Sequence, residues 1–328
     1  MKKVVILHDR LNQESHEDAV DVLAQVEVIL QSLTSLGYEA SVIPVTFDLD
    51  NIRSVLQKTQ IDFIFNLVET LEGHGRLIYL CPALLDALEI PYTGSKTEAI
   101  FLTTDKVLTK KFLYNNGIDT PNWFTLKCLK NATSVNPGRY IIKPIWEDGS
   151  VGLDEGSVVM VKDGSHLLEL LQMYQKQLKQ ECFAEAYIDG REFNISILSD
   201  GKGGIDVLPA AEIKFIQYPE DKVKVVGYQA KWNAQSFEFQ HTPRCFDFPP
   251  EDHTLIERLQ EISQKCWHLF DLRGYSRIDF RVDKEGRPWV LEVNINPCLS
   301  PDAGFFAAAQ HAGLNFREVI SRIIYDIH

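Results

Sequence analysis

Paired cysteines are missing from this chain. Its six cysteines, Cys81, Cys128, Cys182, Cys245, Cys266 and Cys298, are scattered, and no two form a Cys-x-x-Cys pair. Such spacing argues against a structural zinc site and a disulfide framework, and it fits a reducing cytosol. Long apolar runs are missing too, since no window approaches the ~20 residues of a membrane span. The opening "MKKVVILHDR" places two lysines before an apolar run that extends only from Val4 to Leu7. That run is too short for a signal-peptide core and reads as a first strand. Positive charge is also scarce: 33 Lys and Arg face 46 Asp and Glu, a net charge of -13. This argues against a nucleic-acid backbone as partner, because phosphate chains need a cationic surface. A local basic pocket for a small phosphate ligand stays open. Repeats and low-complexity segments are absent, and the expectation is a soluble cytoplasmic protein.

With 328 residues, 45% hydrophobic and 24% charged, the chain exceeds one comfortable core and predicts two or three subdomains. Strand and helix alternate through "KKVVILHD", the helix ending at Gly37, "ASVIPV", a helix near 51–58, "DFIFNLVE" and a helix near 76–88. This pattern predicts a small parallel open sheet over residues 1–95. An α+β unit follows over 96–187, with strands "RYIIKPIW", "VVMV" and "CFAEAYI" and a helix at 165–180. A last unit over 188–328 holds strands near 192–198, 205–213, 224–231 and 236–240, a helix at 251–271, a hairpin and closing helices at 303–325. The fold class is therefore mixed: an N-terminal parallel α/β domain followed by a two-part α+β unit.

The hairpin "YSRIDFRVDKEGRPWVLEVN" carries the sharpest chemical signal. A turn centred on Glu285-Gly286 would pair Asp283 with Pro288 and Lys284 with Arg287. Asp279 then faces Glu292, and Arg277 faces Asn294. Opposed side chains of an antiparallel pair sit ~5 Å apart at Cβ, and like charges there repel. Two carboxylates and an amide oxygen on one face call for a cation, and hard oxygen donors suit magnesium. The alternative is an edge hairpin whose acids face solvent, and Val290, Leu291 and Val293 make the strand too apolar for that.

Lys143 in "IIKPIW", Lys106 after Asp105, and Lys231 in "GYQAKW" lie in apolar surroundings where a lone ammonium is costly. Phosphate would be a suitable partner for them, while snorkelling to solvent is the usual fate of a single strand lysine. The loop "EDGSVG" (147–152) offers backbone amides and the Ser150 hydroxyl for phosphate oxygens. It is neither a P-loop nor a dinucleotide fingerprint. "FAEAYIDGREF" puts Glu185 and Tyr187 on one strand face and Glu192 beyond a turn, which suits a base amine and a ribose.

In order and spacing, "TTDKVLTKKFL", "IIKPIWEDGSVG", "FAEAYIDGREFNISIL", "SRIDFRVD" and "LEVNINP" resemble an ATP-grasp enzyme, and more closely the D-alanine–D-alanine ligase family. "FNLVE", "IPYTGS", "GYQAKW" and "AAAQHAGLNFREVISRII" are similar to that family as well, so the resemblance spans nearly the whole chain. It implies an ATP-grasp fold, an ADP-forming ligase, ATP with two magnesium ions (or manganese), small carboxylate and amine substrates, and an arrangement that allows a homodimer. By this resemblance Asp279 and Glu292 hold one magnesium, and Glu292 and Asn294 the second. Arg277 stabilises a developing oxyanion. Lys106, Lys143 and Lys231 contact ATP, Glu185 the adenine, the Tyr187-Ile188 backbone the base as a hinge, and Glu192 the ribose. Ser150 matches a loop serine that covers the phosphates.

The departures gather at the amino-acid subsites. "LHDRLNQESHED" stands where the family has a Gly-Gly-x-Ser-x-Glu run, with Glu17 and Asp18 as weak substitutes for its acid. Glu69-Thr70 replaces a His-Gly, Trp232 a tyrosine, and "CLSPDAG" the stretch after Asn-Pro, with Cys298 at a glycine and Ala303 near the expected serine. Glu69, Ser300 and Asp302 are candidate substrate contacts. Cys298 reads as a packed thiol. The readings left open are a ligase of D-alanine or another dipeptide, an ATP-binding protein without turnover, and an ATP-grasp ligase with a different acceptor.

Overall fold

The computed structural model describes residues 1–11, 17–131, 134–147, 150 and 152–327, with only the backbone described for 17–20. The first sheet has three parallel strands, β1 (Lys3–Asp9), β2 (Glu39–Val45) and β3 (Phe63–Leu67), in the order β2-β1-β3. Alternation along β1 sends its side chains to two cores. Val4 and Ile6 meet Val26, Ile29 and Leu33 of α1 (Glu17–Ser35). Val5 and Leu7 meet Ile52 and Leu56 of α2 (Leu49–Lys58) and Leu85 of α3 (Leu80–Ala87). Both faces are covered, which is why β1 is apolar from Val4 to Leu7.

Asp105 then separates α4 (Thr97–Thr104) from α5 (Lys106–Asn115). Its carboxylate accepts from the amides of Val107 and Leu108, both at 2.9 Å, and so caps the second helix. A second sheet of β4 (Trp123–Thr125), β5 (Gly138–Pro144), β6 (Val158–Val161) and β7 (Cys182–Ala186) runs β4-β7-β5-β6, antiparallel throughout. α6 (Leu126–Lys130) and α7 (Gly164–Leu178) lie by this sheet, whose Tyr140, Ile142 and Ala184 pack against Leu129, Leu167 and Leu171 of the two helices. The opposite face carries Ile141, Lys143 and Glu185 toward a cleft.

The third sheet contains β8 (Arg191–Ser199), β9 (Ile205–Val207), β10 (Ala211–Ile213), β11 (Arg244–Cys245), β12 (Tyr275–Val282) and β13 (Pro288–Asn294). Its order is β11-β10-β8-β12-β13, with β9 on β8. The stretch 205–213, read as one strand, is two, because Pro209 between them cannot donate to a ladder. The strands expected at 224–231 and 236–240 are instead loop and short helices, α8 (Tyr228–Trp232) and α9 (Phe237–Gln240). The alternation of "SFEFQ" imitates a strand, but Ser236 accepts the Phe239 amide at 3.0 Å and starts a helical turn.

α10 (His253–Leu269), α11 (Gly304–His311) and α12 (Phe316–Tyr325) complete the chain. α4 and α5 join the core of the third sheet, with Ile100 and Leu113 in one cluster with Phe193, Ile195 and Val290. A second cluster unites Val4, Ile6, Val26 and Phe65 with Leu198, Tyr275, Phe305 and Ile320, so segments from the start and the end of the chain share one core. No described helix is long and apolar enough to cross a membrane.

Candidate active site

The three sheets border a cleft of about 1600 Å³ that runs from Asp9 and Asp21 to Tyr187 and Glu192. The hairpin β12–β13 forms one wall. Near the turn, Val282 pairs with Pro288 and Phe280 with Val290; a bulge at Leu291 then shifts the register, and Asp279 meets Glu292 while Arg277 meets Asn294. The expected turn pairing of Asp283 with Pro288 is thus one residue out. The expected pairing of the chemical groups is observed, because the extra residue restores it.

Arg277 grips Asp279 with two bonds, Nε to Oδ1 at 2.7 Å and Nη2 to Oδ2 at 2.8 Å. Asn194 of β8 donates to Asp279 Oδ1 at 2.8 Å and Asn294 to Oδ2 at 3.0 Å. Burial pulls the Arg277 guanidinium down, but Asp279 more than offsets it and the net displacement is upward. Glu292 lies 3.4 Å from Lys106 Nζ, which also donates to the Glu147 carbonyl at 2.8 Å. Lys106 thereby links the hairpin acid to the base of the 147–152 loop.

Across the cleft, Glu185 stands between two lysines. Lys110 Nζ is 2.5 Å from Glu185 Oε2, and Lys143 pairs with Oε1. Burial raises the Glu185 pKa, yet the two ammonium groups reverse that and hold it low. Burial also pushes Lys110 down. Glu185, expected beside an adenine, lines the cleft as a buried carboxylate paired with both lysines, and it orients Lys143 toward the cleft. At the same end Glu192 pairs with Arg281 at 2.8 Å, and the Tyr187 amide donates to the Arg139 carbonyl at 3.0 Å. Tyr187, Ile188 and Glu192 all line the cleft.

Ser150 lies in the left-handed backbone region, φ 64°, and its hydroxyl donates to the Val226 carbonyl at 2.9 Å. The Tyr228 amide donates to the Leu153 carbonyl at 3.0 Å, so two loops are stitched together over the cleft. Gly227 permits this approach, since a Cβ there would lie 2.7 Å from the Leu153 oxygen. The second loop leads into α8 and Lys231, whose ammonium is pushed down by burial first and by Arg277 second.

The amino-acid end is built differently from expectation. Glu69 and Asp302 line the cleft, as anticipated. Ser300 is only 2% exposed, and its hydroxyl donates to Asp21 Oδ1 at 2.6 Å. It positions an acid rather than presenting itself to a ligand. Cys298 donates to Asp21 Oδ2 at 2.8 Å, and Gln25 donates to Glu69 at 3.5 Å while accepting the Leu299 amide at 2.9 Å. Burial, with Asp21 and Glu69 nearby, raises the Cys298 pKa and keeps it a thiol. The side chains of Glu17 and Asp18 lie outside the described residues. Asp9, beneath this end, accepts the amides of Glu69 and Thr70, each at 2.9 Å, and the Thr70 hydroxyl.

Sequence reasoning missed Lys110, Asn194, Asp21 and Arg244. Asn194 was within reach, since it follows Glu192 by two on one strand and so shares its face. Lys110 was recoverable only from its helical spacing to Lys106. Asp21 and Arg244 carry no local signal.

An antiparallel four-stranded sheet facing a larger one, with Lys143 on the first and an acid–amide row on the second, is the arrangement of an ATP-grasp ligase. The family model "D-ala D-ala ligase C-terminus" matches residues 121–325. A D-alanine–D-alanine ligase of Aquifex aeolicus is 30% identical over 91% of this chain and 92% of its own. The uncharacterized protein y4sG of Sinorhizobium fredii is 30% identical over 81% of this chain and 74% of its own. The Bacillus anthracis D-alanine–D-alanine ligase complexed with ATP superposes with a TM-score of 0.73 at 23% identity, covering 99% and 97% of the two chains. This chain belongs to the D-alanine–D-alanine ligase family.

Proposed function

We propose that the protein is an ATP- and magnesium-dependent carboxylate–amine ligase that works through an acyl phosphate. The observation that carries this reading is the row Arg277, Asp279, Glu292 and Asn294, which faces Lys143 across one cleft and has Lys106 ion-paired to it. A carboxylate oxygen of the first substrate attacks the γ-phosphorus as the bond to ADP breaks. The amine of the second substrate then attacks the acyl carbon, loses a proton, and phosphate leaves. Arg277, anchored on Asp279, presents its remaining N–H groups where negative charge builds on the carbonyl oxygen. A nucleotide-binding protein without turnover would gain nothing from such a group. Lys106, Lys143 and Lys231 bind phosphate oxygens, Tyr187, Ile188 and Glu192 take the nucleoside, and the Ser150 and Gly227 loops exclude water.

The donor set fits magnesium. Two carboxylates oppose each other across the hairpin, with an amide that can turn its oxygen to the same face. The described residues contain no group of three or more acidic, histidine or cysteine ligands, so the remaining ligands would be phosphate oxygens. When bound, the ions offset charge on the phosphates as it shifts. Within this reading, residues 1–95, 96–187 and 188–328 are proposed as the functional units, supported by the three sheets they contain.

ADP release in MgATP with amino acids offered singly and in pairs, D-alanine included, and product masses read by mass spectrometry, tests the proposal. A condensed product with equimolar ADP and phosphate supports it. Absence of ADP release with every pair refutes it.

A further inference from the structure

We infer that Asn194 is a positioning residue for magnesium, holding one oxygen of Asp279 so that the other is the one offered to the ion; this rests on the ligase reading and its metal platform. Asn194 lies on β8, where it faces Asp279 of β12 on one side and Ala211 of β10 on the other. Further across the sheet, Asp279 faces Glu292 of β13. The row therefore runs Ala211, Asn194, Asp279, Glu292, with an amide on one flank of the acid and a like charge on the other. The strand neighbours of Asn194, Phe193 and Ile195, enter one core cluster with Ile278 and Phe280. The pleat thereby turns Asn194 to the opposite face, where it lines the cleft.

Counting donors shows what Asn194 does. An ionised carboxylate offers about four acceptor sites, two on each oxygen. Oδ1 of Asp279 takes Arg277 Nε at 2.7 Å and the Asn194 side-chain amide at 2.8 Å. Oδ2 takes Arg277 Nη2 at 2.8 Å and the Asn294 side-chain amide at 3.0 Å. An ion reaches Asp279 only where one of these donors withdraws. Arg277 grips both oxygens alike, so the two amides decide between them. Asn294 lies two residues from Glu292 on one strand face. Turning its oxygen to a cation shared with Glu292 takes its N–H off Oδ2, so one movement supplies a ligand and uncovers another. Asn194 has only Ala211 beyond it in the row, and it stays on Oδ1. A neutral donor suits that post: an ammonium there would repel the ion, and a carboxylate would repel Asp279.

The test titrates manganese, which oxygen-ligand magnesium sites accept, into the full chain with a non-hydrolysable ATP analogue bound, and reads free metal by electron paramagnetic resonance. Wild type is compared with Asn194→Ala, Asn194→Leu and Asn194→Ser. The alanine and leucine variants should each bind manganese roughly 10- to 100-fold more weakly, while their affinity for the analogue in EDTA stays at the wild-type value. Asn194→Ser, which keeps a shorter donor, should recover part of the loss. Where ADP release is measurable, the half-saturating magnesium concentration should rise by the same factor. Should Asn194→Ala not fold, Asn194→Leu, which fills a similar volume, decides. Unchanged manganese affinity in the variant that folds overturns the inference. An equal loss of analogue affinity in EDTA marks a merely structural role and overturns it too. No manganese bound by the wild type is a different result: the metal platform itself, and with it the ligase reading, has then failed.

Discussion

Asp279 and Glu292 face each other across the hairpin only because Leu291 is an extra residue in β13. Without that bulge the pleat would turn one carboxylate to the opposite face. Glu292→Gln keeps the shape and removes a charge. It is expected to weaken magnesium-dependent ATP binding roughly 10- to 100-fold, read by calorimetry with and without magnesium, with the circular dichroism unchanged. Deleting Leu291 leaves Val290 opposite Phe280 and Glu292 opposite Asp279 in an uninterrupted ladder, so magnesium-dependent binding should survive it.

The ion triplet of Lys110, Glu185 and Lys143 separates support from contact. Removing one partner of a buried pair leaves charge uncompensated and costs on the order of 3–5 kcal/mol. Lys110→Met is therefore expected to lower stability strongly in urea titration, since both its ammonium and Glu185 are 1% exposed. Lys143, 16% exposed, should lose less stability as Met and more ATP affinity. Equal stability losses would contradict this division.

Asp9 sets a pH dependence of stability. Burial raises its pKa to about 6 from 3.8, against the three hydrogen bonds it accepts. Between these values the unfolded state has released its proton and the folded state has not. Stability from this group is therefore fully present below about pH 4 and falls as pH rises through 6, by on the order of 3 kcal/mol at most. In Asp9→Asn that fall should vanish from the profile of melting temperature against pH. A profile parallel to the wild type would refute the assignment.

Cys298 is expected to be chemically quiet. Iodoacetamide near neutral pH should label the exposed Cys128 first and leave Cys298, whose thiol burial holds protonated. Cys298→Ser should retain turnover. Rapid inactivation traced to a Cys298 adduct would contradict the structure.

Closing the gap at Gly227 tests the stitched loops. Gly227→Ala places a methyl 2.7 Å from the Leu153 carbonyl and should part the loops that carry Ser150 and Lys231. A raised KM for ATP with the melting temperature nearly unchanged is the expected result; an unchanged KM would show that the loops act independently.

The legible parts of this protein were those whose chemistry repeats with a local period. The alternation of β12 and β13 gave the acid–amide row, and apolar strands exposed the oddity of Lys143. Alternation misled at "SFEFQ", where a single serine cap outweighs the pattern. It also could not reveal Asp21 or Arg244, which matter only because α1 and β11 meet the 298–304 segment in space. Ser300 was a reasonable candidate from its place after "NINPCL", but burial changed its role. The turn pairing was off by one because a bulge leaves no mark in composition.

The cluster that joins Val4, Ile6 and Phe65 to Phe305, Val319 and Ile323 sets the order in which the chain can mature. During synthesis the first sheet leaves the ribosome more than two hundred residues before α12, which packs on α1, the helix that covers one face of that sheet. Until α12 arrives, the side of α1 that it packs against is an apolar surface in water, open to chaperones and to other nascent chains. Loss of the last two helices would therefore be felt first at α1, near the beginning of the protein, and a C-terminal nonsense mutation should yield a species that aggregates through the apolar side of α1.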